Sequence, residues 1–386
     1  MEDNRPQPTR TSAAPRRTTI NKIRKKRYGL LGLAFALFFF VTAQFAVSYY
    51  VKLDTVYNHR INYNMFLEDR GMIEVVIEEM AKTIKRDNLT NYAIMIGNSV
   101  AWGTNESSEH SLGRYLNDQA ISAEGEDKLQ AVFNLSAPSI MAGDAYTLLL
   151  MMEDHGIKTD NVMIGLSYSA FVKPDPITGP RQVFWLGDYL RTQDPEAFKD
   201  VLPHLQGIGF EYEEGWKYAE EKALDKLFHN IPVVMYKEVI PAYWEQKKAG
   251  TDLLGDPRTW NEKQFSEKWL TDPSYLSFFD PTPFVMDESN WGVYFMNKIS
   301  EHQQGKRLLV FVSGGNGELS KKEVTDPGYV DNTEKIETYL QGLGSPYLIM
   351  QDKIDPNLFT DHVHLTKEGN ELLARFVWDT WTGKGA

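Results

Sequence analysis

The chain has 386 residues, 42% hydrophobic and 24% charged, which excludes a wholly disordered or collagen-like polymer and leaves room for two or three domains, or for one domain with a large insertion. The net charge of -12 is unevenly placed: residues 1–27 hold nine Lys and Arg against Glu2 and Asp3, so an acidic remainder is left that argues against nucleic acid as the main partner. The absence of cysteine removes disulfides, thiolate metal sites and cysteine nucleophiles together.

Residues 1–27 read as a disordered basic cytosolic tail, rich in Pro, Thr, Ser and Arg over 4–19. Residues 28–51, from Tyr28 to Val51, carry no charge. As a helix they reach roughly 36 Å, enough to cross a bilayer core of ~30 Å. Tyr28, Tyr49 and Tyr50 stand at the two interfaces, and the basic run Lys22–Arg27 predicts a cytoplasmic N-terminus with an extracellular body, a single-pass cell-membrane protein. The alternative is a cleaved signal peptide with Ala46-Val47-Ser48 as its site, but the apolar run exceeds a signal core.

Residues 52–91 read as a juxtamembrane helical connector, with Ile73, Val76, Ile77, Met80 and Ile84 at helical spacing within 65–86. Five short apolar runs follow, at Tyr92–Ile96, Leu129–Phe133, Asn161–Ile164, Leu308–Val312 and Tyr347–Met350. They do not alternate, as suits strands buried on both faces. Helical stretches lie between them, such as Asp144–His155 closed by Gly156, so residues 92–386 predict an α/β domain on a parallel sheet of about five strands. The gap between Gly165 and Leu308 is far longer than a crossover needs. It predicts a mainly helical insertion over about 173–300, with helices at Pro195–Leu205, Tyr212–Phe228 and Asn261–Leu270. The insertion holds Trp185, Trp216, Trp244, Trp260, Trp269 and Trp291, which serve either its own core or sugar stacking.

Two places carry chemistry. Ser99 follows the first strand in Ile96-Gly97-Asn98-Ser99-Val100-Ala101-Trp102-Gly103, at the carboxyl edge of the sheet where backbone N–H groups can face an oxyanion; a structural serine turn is the plainer reading. Near the C-terminus, Asp361-His362-Val363-His364 leads through Thr366, a helix cap, into a helix over Glu368–Trp378. A carboxylate three residues before a histidine reaches its Nδ1 and leaves Nε2 free for a serine proton, so Asp361 pairs with His364 and His362 points away into solvent. His362 and His364 could instead share a metal ion, although no third ligand is evident among the scattered His59, His110, His155, His204, His229 and His302.

Together these features resemble the SGNH/GDSL hydrolase superfamily over about 92–172 and 305–380. Gly97-Asn98-Ser99 stands for its first block and Asp361–His364 for its last. Asn134-Leu135-Ser136-Ala137-Pro138-Ser139 resembles the second, with Ser139 at the oxyanion glycine, and Gly165-Leu166-Ser167 the third, with Ser167 at the asparagine. The resemblance implies a three-layer αβα fold, a catalytic triad of Ser99, Asp361 and His364, an oxyanion hole from Ser99, Ser139 and Ser167, and no cofactor. The single span and long insertion look like bacterial cell-envelope O-acyltransferases: peptidoglycan or secondary cell-wall polysaccharide O-acetyltransferases, alginate acetylation proteins and the D-alanyl transfer protein. That likeness implies a multi-span membrane-bound O-acyltransferase-type partner as acyl donor and a cell-envelope glycan as acceptor. An esterase using water needs the same triad, and a non-catalytic membrane scaffold is the third reading.

Overall fold

The computed structural model describes residues 17–62, 66, 71–172, 186–207, 215–229, 231–237 and 239–384. It is a mixed α/β structure led by a long N-terminal helix, α1 (Arg17–Tyr50). Its Tyr28–Tyr50 stretch has a mean hydropathy of 2.2 over its apolar window and no fully buried residue there, so it is long and apolar enough to span a membrane. The helix begins at Arg17, so residues 17–27 are not the disordered tail expected of them; the expected tail over 1–16 lies outside the described residues.

After a one-turn helix at Leu53–Val56 comes α2 (Met72–Arg86), whose Met72, Ile73, Val76, Ile77 and Met80 are buried at helical spacing. The chain then alternates strand and helix: β1 (Tyr92–Gly97), the one-turn α3 (Ser99–Trp102), α4 (Leu112–Ser122), β2 (Ala131–Asn134), α5 (Ala142–Asp154) and β3 (Asn161–Ser167). The insertion supplies α6 (Gly187–Gln193), α7 (Pro195–Gly207), α8 (Trp216–His229), the short α9 (Pro232–Met235) and α10 (Val239–Ala249). The fold closes with α11 (Trp291–His302), β4 (Arg307–Ser313), α12 (Pro327–Gly342), β5 (Tyr347–Ile349) and α13 (Lys367–Trp381).

All five expected strands form one parallel sheet in the order β2-β1-β3-β4-β5. They lack alternation because β1 is buried at every position, and β3 and β4 at all but their first. Two helix pairs pack against each other, α4 with α13 and α5 with α11. Strand order reverses between β1 and β3, which opens a crevice at the carboxyl ends of those two strands. Their approach there depends on paired glycines. A Cβ on Gly97 would lie 2.5 Å from the Gly165 carbonyl oxygen, and one on Gly165 would run into the Phe311 ring.

Three sequence expectations change. The described residues of 52–91 are part of the packed body rather than a connector: Val56, Ile61 and Phe66, with Val51 before them, join its core, and the Tyr57 hydroxyl accepts the Asn134 N–H at 2.8 Å. The insertion ends near residue 290, because α11 is the crossover helix that the parallel β3–β4 pair requires. Residues 261–270 hold no continuous helix. A 3₁₀ turn at Trp260–Glu262 and a single turn at Glu267–Leu270 replace it, the second capped by Ser266.

Candidate active site

Ser99 owes its place to its neighbours. Asn98 is extended and buried, and its Oδ1 accepts the Val100 and Ala101 N–H groups at 3.0 and 3.4 Å, capping α3. Gly103 at φ 88° ends the helix after one turn. Asn98 N–H continues the β1–β3 pairing by donating to the Gly165 oxygen at 3.2 Å, so Ser99 emerges at the crevice.

Asp361 and His364 lie on the loop between β5 and α13, closed by the antiparallel bridge Phe359–Leu365 and by Thr360 N–H donating to the His364 oxygen at 2.8 Å. Thr366 caps α13, as its sequence predicts. Asn316, buried just past β4, holds the loop from below: its N–H donates to the His362 oxygen at 2.8 Å and its Nδ2 to the Asp361 oxygen at 3.3 Å. The insertion holds it from the other side through Trp260 N–H on the Phe359 oxygen at 3.0 Å.

These two placements, 265 residues apart, produce a continuous relay. His364 Nε2 stands 2.8 Å from Ser99 Oγ, and His364 Nδ1 stands 2.7 Å from Asp361 Oδ2. Asp361 Oδ1 also accepts the Val363 and His364 N–H groups at 2.9 and 2.8 Å, and Oδ2 accepts Asn105 Nδ2 at 3.1 Å. Burial alone would raise the Asp361 carboxyl. The charge and hydrogen bond of His364, the charge of His362 and the Val363 N–H outweigh it and hold the group well below the usual carboxylate range. An ionised carboxylate only accepts, which puts the proton on Nδ1 and leaves the Nε2 lone pair facing the Ser99 hydroxyl.

The two other serines reach the same edge. Beyond β2 the chain still follows β1, with Ala137 N–H on the Gly97 oxygen at 3.0 Å, and turns at Pro138-Ser139. Ser139 has φ 67°, a conformation that suits glycine. Ser167 ends β3 two residues past Gly165, as Ser99 stands two past Gly97, and its hydroxyl is engaged with Ser169 Oγ at 2.7 Å. The Ser99 N–H, at the first position of α3, has no carbonyl partner within that helix.

His362 departs from expectation. It is buried, not exposed, and its ring sits among Trp269, Tyr275, Phe278 and Phe279 at centroid distances of 4.9–6.0 Å. Neither ring nitrogen makes a hydrogen bond. Burial pushes its pKa down to about 4; Asp361 pulls it up and His364 down, and burial prevails. Four aromatic side chains that are distant in sequence or placed on the insertion create this box, so the motif alone gives no sign of it. His362 and His364 lie 6.2 Å apart ring to ring, and among the described residues no group of three His, Asp or Glu side chains has metal-binding geometry.

Of the tryptophans expected in the insertion, Trp260 and Trp269 pack against the core, as does Trp291, which falls on α11 instead, while Trp216 and Trp244 are exposed; Trp185 lies outside the described residues. Trp291 also lines a cavity of about 490 Å³ with Phe171, Phe284, Asp280 and Asn290, beyond the carboxyl end of β3; Ser99, Asp361 and His364 do not line it.

Three residues of the site's support carry no sequence signature. Asn105 donates to Thr360 Oγ1 as well as to Asp361. Asn316 is described above. Arg60 lies over the Trp102 ring at 3.7 Å, donates to the oxygens of Gly103, Glu106 and Asp252 at 2.8, 2.9 and 3.1 Å, and pairs with Asp252 Oδ2 at 3.6 Å. Burial lowers its pKa to about 10, which leaves it charged at neutral pH. It joins the segment before the sheet, the turn after Ser99 and the insertion. No family model and no curated protein matches this chain.

Proposed function

We propose that the chain is an extracytoplasmic, serine-dependent O-acyltransferase of the SGNH type, which moves an acyl group, acetyl in this reading, through an acyl-Ser99 ester onto a cell-envelope polysaccharide. The observation that carries the proposal is the unbroken Ser99–His364–Asp361 relay at the carboxyl edge of the sheet. The five-stranded parallel sheet with its two packed helix pairs supports the three-layer αβα reading.

In this mechanism His364 Nε2 takes the Ser99 hydroxyl proton as Oγ bonds to the acyl carbonyl carbon. The tetrahedral oxyanion is met by the Ser99 and Ser139 N–H groups, with Ser167 in the asparagine's place. His364 returns the proton to the leaving oxygen as the donor ester breaks. An acceptor hydroxyl then gives its proton to Nε2 and attacks the acyl-serine; the Ser99 Oγ bond breaks and Ser99 recovers the proton. Asp361 stays ionised throughout and stabilises the imidazolium.

The membrane-spanning helix supports transfer beside a membrane, with a multi-span O-acyltransferase-type protein as acyl donor, the N-terminus cytoplasmic and the catalytic domain extracellular. The acidic body repels a strongly anionic polymer at long range, which favours a neutral or amino-sugar glycan as acceptor. The test uses the full chain in detergent with an activated acetyl ester. A serine-reactive fluorophosphonate labels Ser99, Ser99→Ala lowers ester turnover by about 10⁴-fold, and added cell-wall glycan becomes acetylated by mass spectrometry. Release of acetate without acetylated sugar makes the chain an esterase. Labelling of another serine, or none, refutes the catalytic assignment.

A further inference from the structure

The insertion is not only an elaboration of the catalytic edge; it also touches the membrane helix. The α9 segment packs against α1, and Val233 N–H donates to Gln44 Oε1 at 3.0 Å. Gln44 lies six residues inside the outer end of the Tyr28–Tyr50 span, a depth of about 9 Å at 1.5 Å per residue. The next residue after α9, Tyr236, is buried and its hydroxyl donates to Glu79 Oε1 at 3.0 Å, which fixes this depth to the body of the protein. Gln246 on α10 adds a second tie by accepting Asn62 Nδ2 at 3.0 Å.

The helices on either side of α9 expose apolar side chains that no described residue covers. On α8, Trp216, Leu227 and Leu224 are 73, 56 and 45% exposed. They fall on one side of the helix. The opposite side carries Tyr218, which stacks with Arg191 at 3.8 Å, and Lys222, which lies above Tyr189. On α10, Trp244 is 52% exposed and Lys247 lies above it at 5.3 Å, a pairing of aromatic body and cationic head suited to a headgroup layer.

We propose that the exposed faces of α8 and α10 are seated in the outer interface of the lipid bilayer, so that the insertion fixes the catalytic domain against the membrane beside its own span. The occupant is lipid because α9, between these helices, is held about 9 Å inside the span's end, within the ~5–10 Å depth at which amphipathic helices lie. The proposal rests on the reading of residues 28–50 as a membrane span.

The chain has no cysteine, so single-cysteine variants can carry a nitroxide label without other changes. Leu224→Cys and Leu227→Cys are compared with Phe39→Cys inside the span and Glu126→Cys on the exposed surface of the body, in full-length protein reconstituted into vesicles of phosphatidylethanolamine and phosphatidylglycerol. Circular dichroism confirms that each variant is folded. The expected result is an oxygen-to-nickel-chelate collision ratio several-fold higher at 224 and 227 than at 126, approaching that at 39. Ratios at 224 and 227 equal to that at 126, with 39 still lipid-exposed, overturn the proposal while leaving the span intact, and a protein partner then becomes the occupant of this face. A water-like ratio at 39 removes both the span and the proposal.

Discussion

The burial of His362 makes a quantitative statement about acid stability. Its folded pKa is about 4, against 6.5 for an exposed histidine. Between pH 6.5 and 4 the unfolded chain binds a proton at this residue and the folded chain does not, so stability falls as pH falls through that window. Below pH 4 the folded state takes up the proton as well and the slope from this group vanishes. A difference of about 2.5 units at ~1.36 kcal/mol each gives a loss of about 3 kcal/mol from pH 7 to pH 4. The perturbation is His362→Leu. It adds a packing penalty that is the same at both pH values and so cancels from the comparison. Urea unfolding of both proteins in detergent should show the wild type losing about 3 kcal/mol more than the variant between pH 7 and pH 4, with unchanged m-values. Equal losses would refute the reasoning: His362 would then be protonated in the folded protein, paired with Asp361 Oδ1, 3.6 Å away. Turnover at pH 7 should stay within a few-fold, because His362 does not touch Ser99 or carry its proton.

Asn105→Ala removes one of four donors to the Asp361 carboxylate and should lower kcat about tenfold with KM unchanged, read from steady-state ester hydrolysis; Asn105 is a positioning residue, and Asn105→Asp should not rescue it because it places a second acceptor there. Ser139→Gly should keep full turnover and raise the urea midpoint by no more than ~1 kcal/mol equivalent, since glycine relieves the positive φ and keeps the N–H. Ser139→Pro, which removes that N–H and cannot adopt φ 67°, should cost at least about 10²-fold in kcat and also destabilise the turn. Gly165→Ala should destabilise by roughly 1–3 kcal/mol, or more, and reduce activity, because its Cβ must displace the Phe311 ring between β3 and β4.

Much of this fold was legible because its central strands have no exposed face. Uninterrupted runs such as Tyr92–Gly97 and Arg307–Ser313 show in sequence what burial on both sides demands. The Asp361–His364 pair was legible because a three-residue spacing is local geometry. His362 was misread for the complementary reason. Its surroundings are set by Trp269, Tyr275, Phe278 and Phe279, residues about ninety positions away whose approach only the folded chain creates. Asn105 and Asn316 escaped notice because an asparagine that braces a distant loop looks like one that caps a turn. The stretch 261–270 shows the opposite failure: it reads as a helix in sequence, but Trp260 and Trp269 pack against the core from two separate turns.

Arg60 sets where the folding unit begins. A chain starting at Tyr92 would contain every strand and all of Ser99, Asp361 and His364. It would nevertheless leave the Trp102 ring without its cationic cover and the Trp102 Nε1–H without the Ile61 oxygen it meets at 2.8 Å. The carbonyls of Gly103 and Glu106 would lose the guanidinium that donates to them, and Asp252 its buried counterion. The turn that aims Ser99 would keep its ties through Asn105 and Asn134 but lose the buried cation that braces it from the N-terminal side. The minimal autonomous domain therefore starts near Val51, and the stretch that follows α1 is the first piece of the packed body, not a tether to be trimmed.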